Sequence, residues 1–211
     1  MTTKITFFIV ILLCSMKIFG QGHINVTRLD MTKLPKGIKY EGKITNAVKW
    51  TDKIGDNIVI TTETGEYPSK TNKDKANRDA EIFAYHYISN GEALKQTWSV
   101  YDFIKECPLD IEAKFIKNTF QVTDLNNDNI AEVWLMYKTI CHGDVSPCDM
   151  KIIMYQGQQK YKMQGRNKVK VSKTQFEGGE FTFDKAFLAS PKSFKDFAKK
   201  LWNKNIIQVF E

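Results

Sequence analysis

Apolar and polar positions alternate along much of this chain, which predicts strands rather than helices. The clearest case is Leu109, Ile111, Ala113 and Phe115, interleaved with Asp110, Glu112 and Lys114, the period of two expected of a half-buried strand. Residues 44–50 and 58–62 carry strand composition on either side of a turn at Gly55, Asp56 and Asn57. Residues 66–79 are polar and rich in Lys and Asn, and read as a solvated loop. Residues 81–88 and 94–103 are apolar and aromatic, and Ser89, Asn90 and Gly91 join them as a hairpin. Residues 120–122 and 133–137 flank a polar loop, and residues 151–155 and 160–163 flank Gly157 as a further hairpin.

The period changes near the C-terminus. Ser190 reads as a helix N-cap with Pro191 at the first helical position. Phe194, Phe197, Ala198, Leu201 and Trp202 then recur at three- and four-residue spacing, with lysines largely on the other face. A basic amphipathic helix can lie on a membrane, but a large aromatic stripe at this spacing more often caps a sheet. The expected fold is mainly β (α+β): an antiparallel sheet of short strands and hairpins with a C-terminal amphipathic helix.

The first twenty residues break this pattern. Lys4 precedes an unbroken apolar run from Ile5 to Leu13, and Gly20 stands just before Gln21. A run of that length is too short for a bilayer, which takes about 20 residues, and the order of charge, apolar run and small residue is that of a secretory signal peptide. Ile18 is bulky for the −3 position, so an uncleaved anchor is the competing reading. Leu13 before Cys14 excludes a lipoprotein site. Residues 1–20 are thus expected to be removed, leaving 21–211 as a single mostly-β domain with no transmembrane segment. That length buries a real core, and 12% aromatic residues argue against disorder.

Net charge is +7, but its distribution says more. Residues 21–78 hold 11 basic and 7 acidic side chains, residues 79–149 hold 5 and 12, and residues 150–211 hold 13 and 5. The acidic middle suits a cation and the basic end an anionic glycan or lipid, unless folding interleaves the three segments. No nucleic acid partner is expected.

Cys107, Cys141 and Cys148 would survive processing, and an oxidising compartment then favours one disulfide and one odd thiol. Spacing alone leaves all pairings open. A zinc site fits poorly, because no CxxC pair is present.

The most specific local feature is the loop Asp124-Leu-Asn126-Asn-Asp128-Asn-Ile130-Ala-Glu132. Side-chain oxygens stand at loop positions 1, 3, 5 and 9, and the Ile130 carbonyl serves position 7, as a Ca²⁺ ion requires. Leu135 occupies position 12, where an EF-hand needs a bidentate Glu, and the flanks are strands. The loop therefore resembles the strand–loop–strand calcium loops of FG-GAP and VCBS repeats, and it implies structural Ca²⁺ held by Asp124, Asn126, Asp128, Ile130 and Glu132. Asn129 takes the place of the usual Gly, as the next best residue at positive φ. The alternative is a metal-free turn in which Asp and Asn serve turn chemistry alone. No G-x-S-x-G elbow, Walker loop or dinucleotide loop is present, His23, His86 and His142 are scattered, and no catalytic residue is assigned.

Four segments together resemble a family of small exported bacterial proteins labelled surface polysaccharide biosynthesis proteins. They are Lys49-Trp50-Thr-Asp52-Lys-Ile-Gly55-Asp-Asn57, Ala80-Glu81-Ile-Phe-Ala-Tyr85-His86-Tyr87, the Asp124 loop with its following strand to Tyr137, and Cys141-His-Gly-Asp144-Val145-Ser146-Pro147. The resemblance implies a disulfide between Cys107 and Cys141, with Cys148 the extra thiol. It also implies export to the periplasm, outer surface or medium. A transferase would need a nucleotide-sugar or lipid-linked donor, and nothing here cradles a diphosphate. The expected function is therefore a non-enzymatic envelope protein with an accessory or binding role in surface polysaccharide assembly, with an anionic surface glycan as partner. The alternative is a glycan-active hydrolase or lyase using carboxylates of the acidic middle.

Overall fold

The computed structural model describes residues 24–70, 76–89, 91 and 93–208. The expected signal peptide at 1–20 lies outside the described residues.

Five strands form an antiparallel meander: β1 (Thr27–Arg28), β2 (Lys43–Asp52), β3 (Gly55–Pro68), β4 (Arg78–Ser89) and β5 (Leu94–Cys107), in that order across the sheet. A second antiparallel sheet contains β6 (Ile111–Phe115), β7 (Gln121–Thr123), β8 (Glu132–Cys141), β9 (Asp149–Gln156), β10 (Gln159–Arg166) and β13 (Phe181–Phe183), ordered β13-β10-β9-β8-β6. Both β6 and β7 pair with β8, β6 along its second half and β7 along its first. They are one edge strand, broken at residues 116–120. A small third sheet joins β11 (Lys168–Lys170), β12 (Phe176–Gly178) and the parallel β14 (Ile207–Gln208).

Burial explains why the middle strands are nearly all apolar. The inner faces of the two large sheets meet through Trp50, Ile82, Trp98 and Val100 on one side and Val133, Leu135, Tyr137 and Ile153 on the other. The outer face of the second sheet, with Trp134, Met136, Ile152 and Met154, packs under α1 (Lys185–Ala189) and α2 (Lys192–Asn205) through Phe187, Phe194, Leu201 and Trp202. Residues 132–137 of β8 are therefore buried on both faces, so their sequence reads as an apolar run rather than an alternation. The outer face of the first sheet is covered by Leu29, Leu34, Ile38 and Ile44, which precede or open β2.

The mainly-β, antiparallel expectation with a C-terminal helix stands. Three details differ. The strands of the first sheet are long, with β3 and β5 each 14 residues. The 66–79 loop is shorter than its polarity suggests, because Glu66, Tyr67 and Pro68 resume pairing with Ala80, Asp79 and Arg78 beyond a bulge. Ser190 does not cap α2: its hydroxyl donates to the Phe187 carbonyl and so closes α1, itself capped by Asp184, while Pro191 holds the N-cap position of α2. The expected aromatic stripe does face the sheet.

Candidate functional site

The Asp124 loop joins β7 to β8, between the paired Thr123 and Glu132. Its side chains fold back on its own backbone. The Asp124 carboxylate accepts the Asp128 and Asn129 N–H groups, each at 3.1 Å. Asp128 Oδ1 accepts the Ile130 N–H at 2.8 Å, and its Oδ2 accepts Asn126 Nδ2 and Gln156 Nε2, both at 2.9 Å. Asn127 and Asn129 have φ of 57° and 63°, the left-handed region that Asn tolerates. Glu132 is fully buried and accepts the Thr123 hydroxyl at 2.7 Å and the Leu125 N–H at 2.9 Å. Burial, with the nearby Asp124 and Asp128 charges adding to it, pushes the Glu132 carboxyl up to about 7.

The donors are hard oxygens, as Ca²⁺ requires, and the same carboxylates close the turn on its own amides. Each carboxylate oxygen of Asp124 and Asp128 already accepts an N–H, and Glu132 bonds back to Thr123 and Leu125 instead of to the other acidic side chains. Among the described residues, no group of three or more His, Cys, Asp or Glu side chains is arranged to hold a metal ion.

Beside the loop, Asp52 acts as a hub. Its Oδ1 accepts the Ile54 N–H at 3.0 Å and Asn57 Nδ2 at 2.9 Å; its Oδ2 accepts Trp50 Nε1 at 3.0 Å and the Ala131 N–H at 3.1 Å. Asn57 Oδ1 lies 2.9 Å from His86 Nε2, and Thr97 Oγ1 lies 2.5 Å from His86 Nδ1. Because the Asn57 amide nitrogen faces Asp52, its oxygen must accept from His86, which assigns the proton to Nε2. Burial depresses the imidazole to about 4, so it is neutral near pH 7. The ring stacks between Trp50 and Trp98 with centroids 5.8 and 5.0 Å away, and Trp98 stacks on Tyr155 at 4.2 Å. Three of the four segments that carry the family resemblance thus meet around Asp52. The void they enclose is about 10 Å³, room for one water at most, so this cluster holds the fold and admits no ligand.

The roomy site lies elsewhere. A cleft of about 850 Å³ opens between the sheets, walled by Arg28, Thr45, Asn46 and Glu63 from one sheet and by the broken edge of the other, residues 114–122. Irregular backbone gathers here. β2 bulges at Thr45, β3 bulges between Glu63 and Glu66, and Asn118 sits at φ 61° within the β6–β7 break. Bulges at sheet edges re-aim side chains and end pairing, and here they keep the two edges apart. Glu63 crosses the gap, its Oε1 accepting the Phe115 N–H at 2.8 Å, and burial raises its carboxyl above the usual range. Phe115, Ile116 and Phe120, all half-buried, supply apolar wall.

Four carboxylates of the acidic middle are held in ion pairs with lysine. Lys105 bonds Glu81 at 2.5 Å and lies 3.6 Å from Asp79; Lys151 bonds Asp102 at 2.6 Å; Lys138 bonds Glu112 at 2.7 Å. The Tyr101 hydroxyl donates to Glu81, and Tyr101 is pushed up to about 12, the wrong direction for a base near neutral pH. The Cys107–Cys141 disulfide has formed, with Cα atoms 5.8 Å apart, and Cys148 is a buried free thiol. No described helix is long and apolar enough to cross a membrane.

Sequence reasoning missed Arg28, Glu63 and Lys117. Each is unremarkable locally, and they meet only because two sheet edges far apart in the chain face each other. No family model, curated protein or solved structure matches the chain, so its functional reading rests on these residues.

Proposed function

We propose that the chain is an exported, non-enzymatic envelope protein that binds glycan and acts as an accessory in surface polysaccharide assembly. The observation that carries this reading is the inter-sheet cleft, whose volume of about 850 Å³ lies within the range of ligand sites. Its lining mixes half-buried aromatic rings with side-chain amides, hydroxyls and cations, the combination that meets a sugar's apolar ring faces and hydroxyl edges.

The same cleft weighs against a hydrolase. Glycoside cleavage uses two carboxyl groups flanking the bond, and among the described residues the only carboxylate lining the cleft is Glu63, already bonded to a backbone amide. The Glu81, Tyr101 and Lys105 cluster holds more titratable groups, but they are mutually paired on an open sheet face. The Cys107–Cys141 bond supports an oxidising compartment, and so supports export. Ca²⁺ is not needed for this reading.

The test is a glycan array probed with the protein beginning near Gln21, followed by titration calorimetry on the hits and a reducing-end assay on the same oligosaccharides. Saturable binding without product is the expected result. Time-dependent release of reducing ends would overturn the non-enzymatic reading, and an array without hits would overturn glycan binding.

A further inference from the structure

The cleft is more specific than a general sugar site, because its charge is unbalanced. Arg28, Lys114 and Lys117 line it against one acid, Glu63. Lys114 is engaged with Glu112 at 3.0 Å. Arg28 and Lys117 are exposed and, among the described residues, have no carboxylate within ion-pair distance. They stand on opposite walls, Arg28 on β1 and Lys117 in the β6–β7 break. Two cations outside any ion pair among the described residues, with Glu63 feeling Lys117 only at longer range, focus a positive potential into a concave, partly apolar site.

Resting on the glycan-binding reading, we infer that the cleft between β1–β3 and β6–β7 takes an acidic sugar, whose anionic substituent is met by Arg28 and Lys117.

A guanidinium presents paired donors that match a carboxylate or a sulfate ester. Asn46, Asn118 and Gln121 each offer a donor and an acceptor on one amide, as adjacent sugar hydroxyls require. A nucleotide is a poorer occupant, since no glycine-rich loop or helix N-terminus lines the cleft to cradle a phosphate chain. The basic C-terminal third is not part of this site: Lys195 on α2 donates to the Leu188 and Ser190 carbonyls, and Lys192 pairs with Asp196. The cations that matter come from the first two thirds of the chain.

Tetragalacturonate and its methyl ester, the same chain without charge, separate the possibilities by calorimetry on the protein beginning near Gln21. The acid form is expected to bind at least about tenfold more tightly than the ester, as loss of a charged hydrogen bond implies. Binding should weaken as ionic strength rises. Arg28→Ala and Lys117→Ala should each weaken the acid form about tenfold and leave the ester unchanged, with Lys117→Arg restoring it. Both positions are exposed, and unchanged melting curves will establish that the variants fold. Equal affinity for acid and ester would overturn the acidic-sugar assignment. Tight acid binding retained in the double variant would overturn the cleft as its site while leaving glycan binding intact. Failure to bind either probe would overturn this inference, and only an array without hits would overturn the broader reading as well.

Discussion

The two outer faces of the sandwich are covered in different ways. On the second sheet, α2 lays Phe194, Ala198, Leu201 and Trp202 over Trp134, Met136 and Ile152. A helix satisfies its own backbone, so this layer needs few polar links. On the first sheet the cover is irregular chain, residues 29–42, whose amides have no helix to receive them. Tyrosines from below do that work. The Tyr87 hydroxyl donates to the Lys39 carbonyl and accepts the Lys39 N–H at 3.1 Å, and the Tyr85 hydroxyl accepts the Glu41 N–H at 3.2 Å. A sheet can thus be covered by coil if its outward side chains combine apolar bodies with polar tips. The cover ends short of β5, where Tyr101 and Phe103 stay about half exposed and stack beside Phe83.

The largest expected difference between the two faces comes from truncating their anchors. Trp202→Ala removes a fully buried ring and should cost about 3–5 kcal/mol by chemical denaturation. Leu34→Ala, in the half-buried strap, should cost about 1 kcal/mol. Equal costs would make the strap as much a core layer as the helix.

Acid and base should next separate the interior of the sandwich from its helix-covered side. His86 is depressed to about 4, so the unfolded chain holds its proton more tightly. Its contribution of roughly 3 kcal/mol is present above pH 6.5 and is lost as pH falls towards 4. Glu132, on the same face of β8 as Trp134, is raised to about 7. The folded chain then holds the proton more tightly, so a contribution of similar size is present below pH 4.5 and is lost as pH rises through 7. Between pH 4.5 and 6.5 the two slopes oppose each other and stability should be nearly flat. Denaturation across that window should show stability falling with rising pH in His86→Gln and falling with falling pH in Glu132→Gln. A flat profile in His86→Gln would remove Glu132 from the balance, and a flat profile in Glu132→Gln would remove His86.

Tyr87→Phe should cost about 1 kcal/mol, the net value of a part-buried hydrogen bond, and should speed amide exchange at Lys39 while leaving α2 amides untouched. Slow exchange at Lys39 in that variant would show the strap held by its apolar contacts alone.

The smallest effect is expected from calcium. The amides that close the Asp124 loop hold it in shape without an ion, so melting in calcium and in chelator should differ little. A calcium-dependent rise that Asp128→Ala abolishes would instead support the ion, since ligand bound only to the folded state at a hundred times its dissociation constant contributes about 2.7 kcal/mol.

Much of the fold is legible in the sequence because its signals are local. Period two over 111–115 (Leu109, the first residue of the expected alternation, lies outside the strand and is exposed), turn residues at Gly55 and Gly157, and the Phe194 to Trp202 stripe each declare an element without reference to the rest of the chain. The Asp124 loop is legible as a tight polar turn for the same reason: Asp and Asn side chains reach their own backbone within a few residues. Sequence leaves open whether those oxygens also hold an ion, since a calcium loop and an amide-closed turn need the same residues. It also could not show that Ser190 closes α1, because a hydroxyl between two helices has partners on either side.

The sequence alone determined a β-rich chain with a helical end and a short list of residues suited to turns, because periodicity and turn chemistry act over a few residues. Only the tertiary structure decided which faces are double-buried, that Asp52, Asn57, His86 and Ala131 form one network, and that Arg28, Glu63 and Lys117 share a cleft. Those arrangements depend on strand order and on how two sheets register against each other, through contacts far apart in the chain and with no local period.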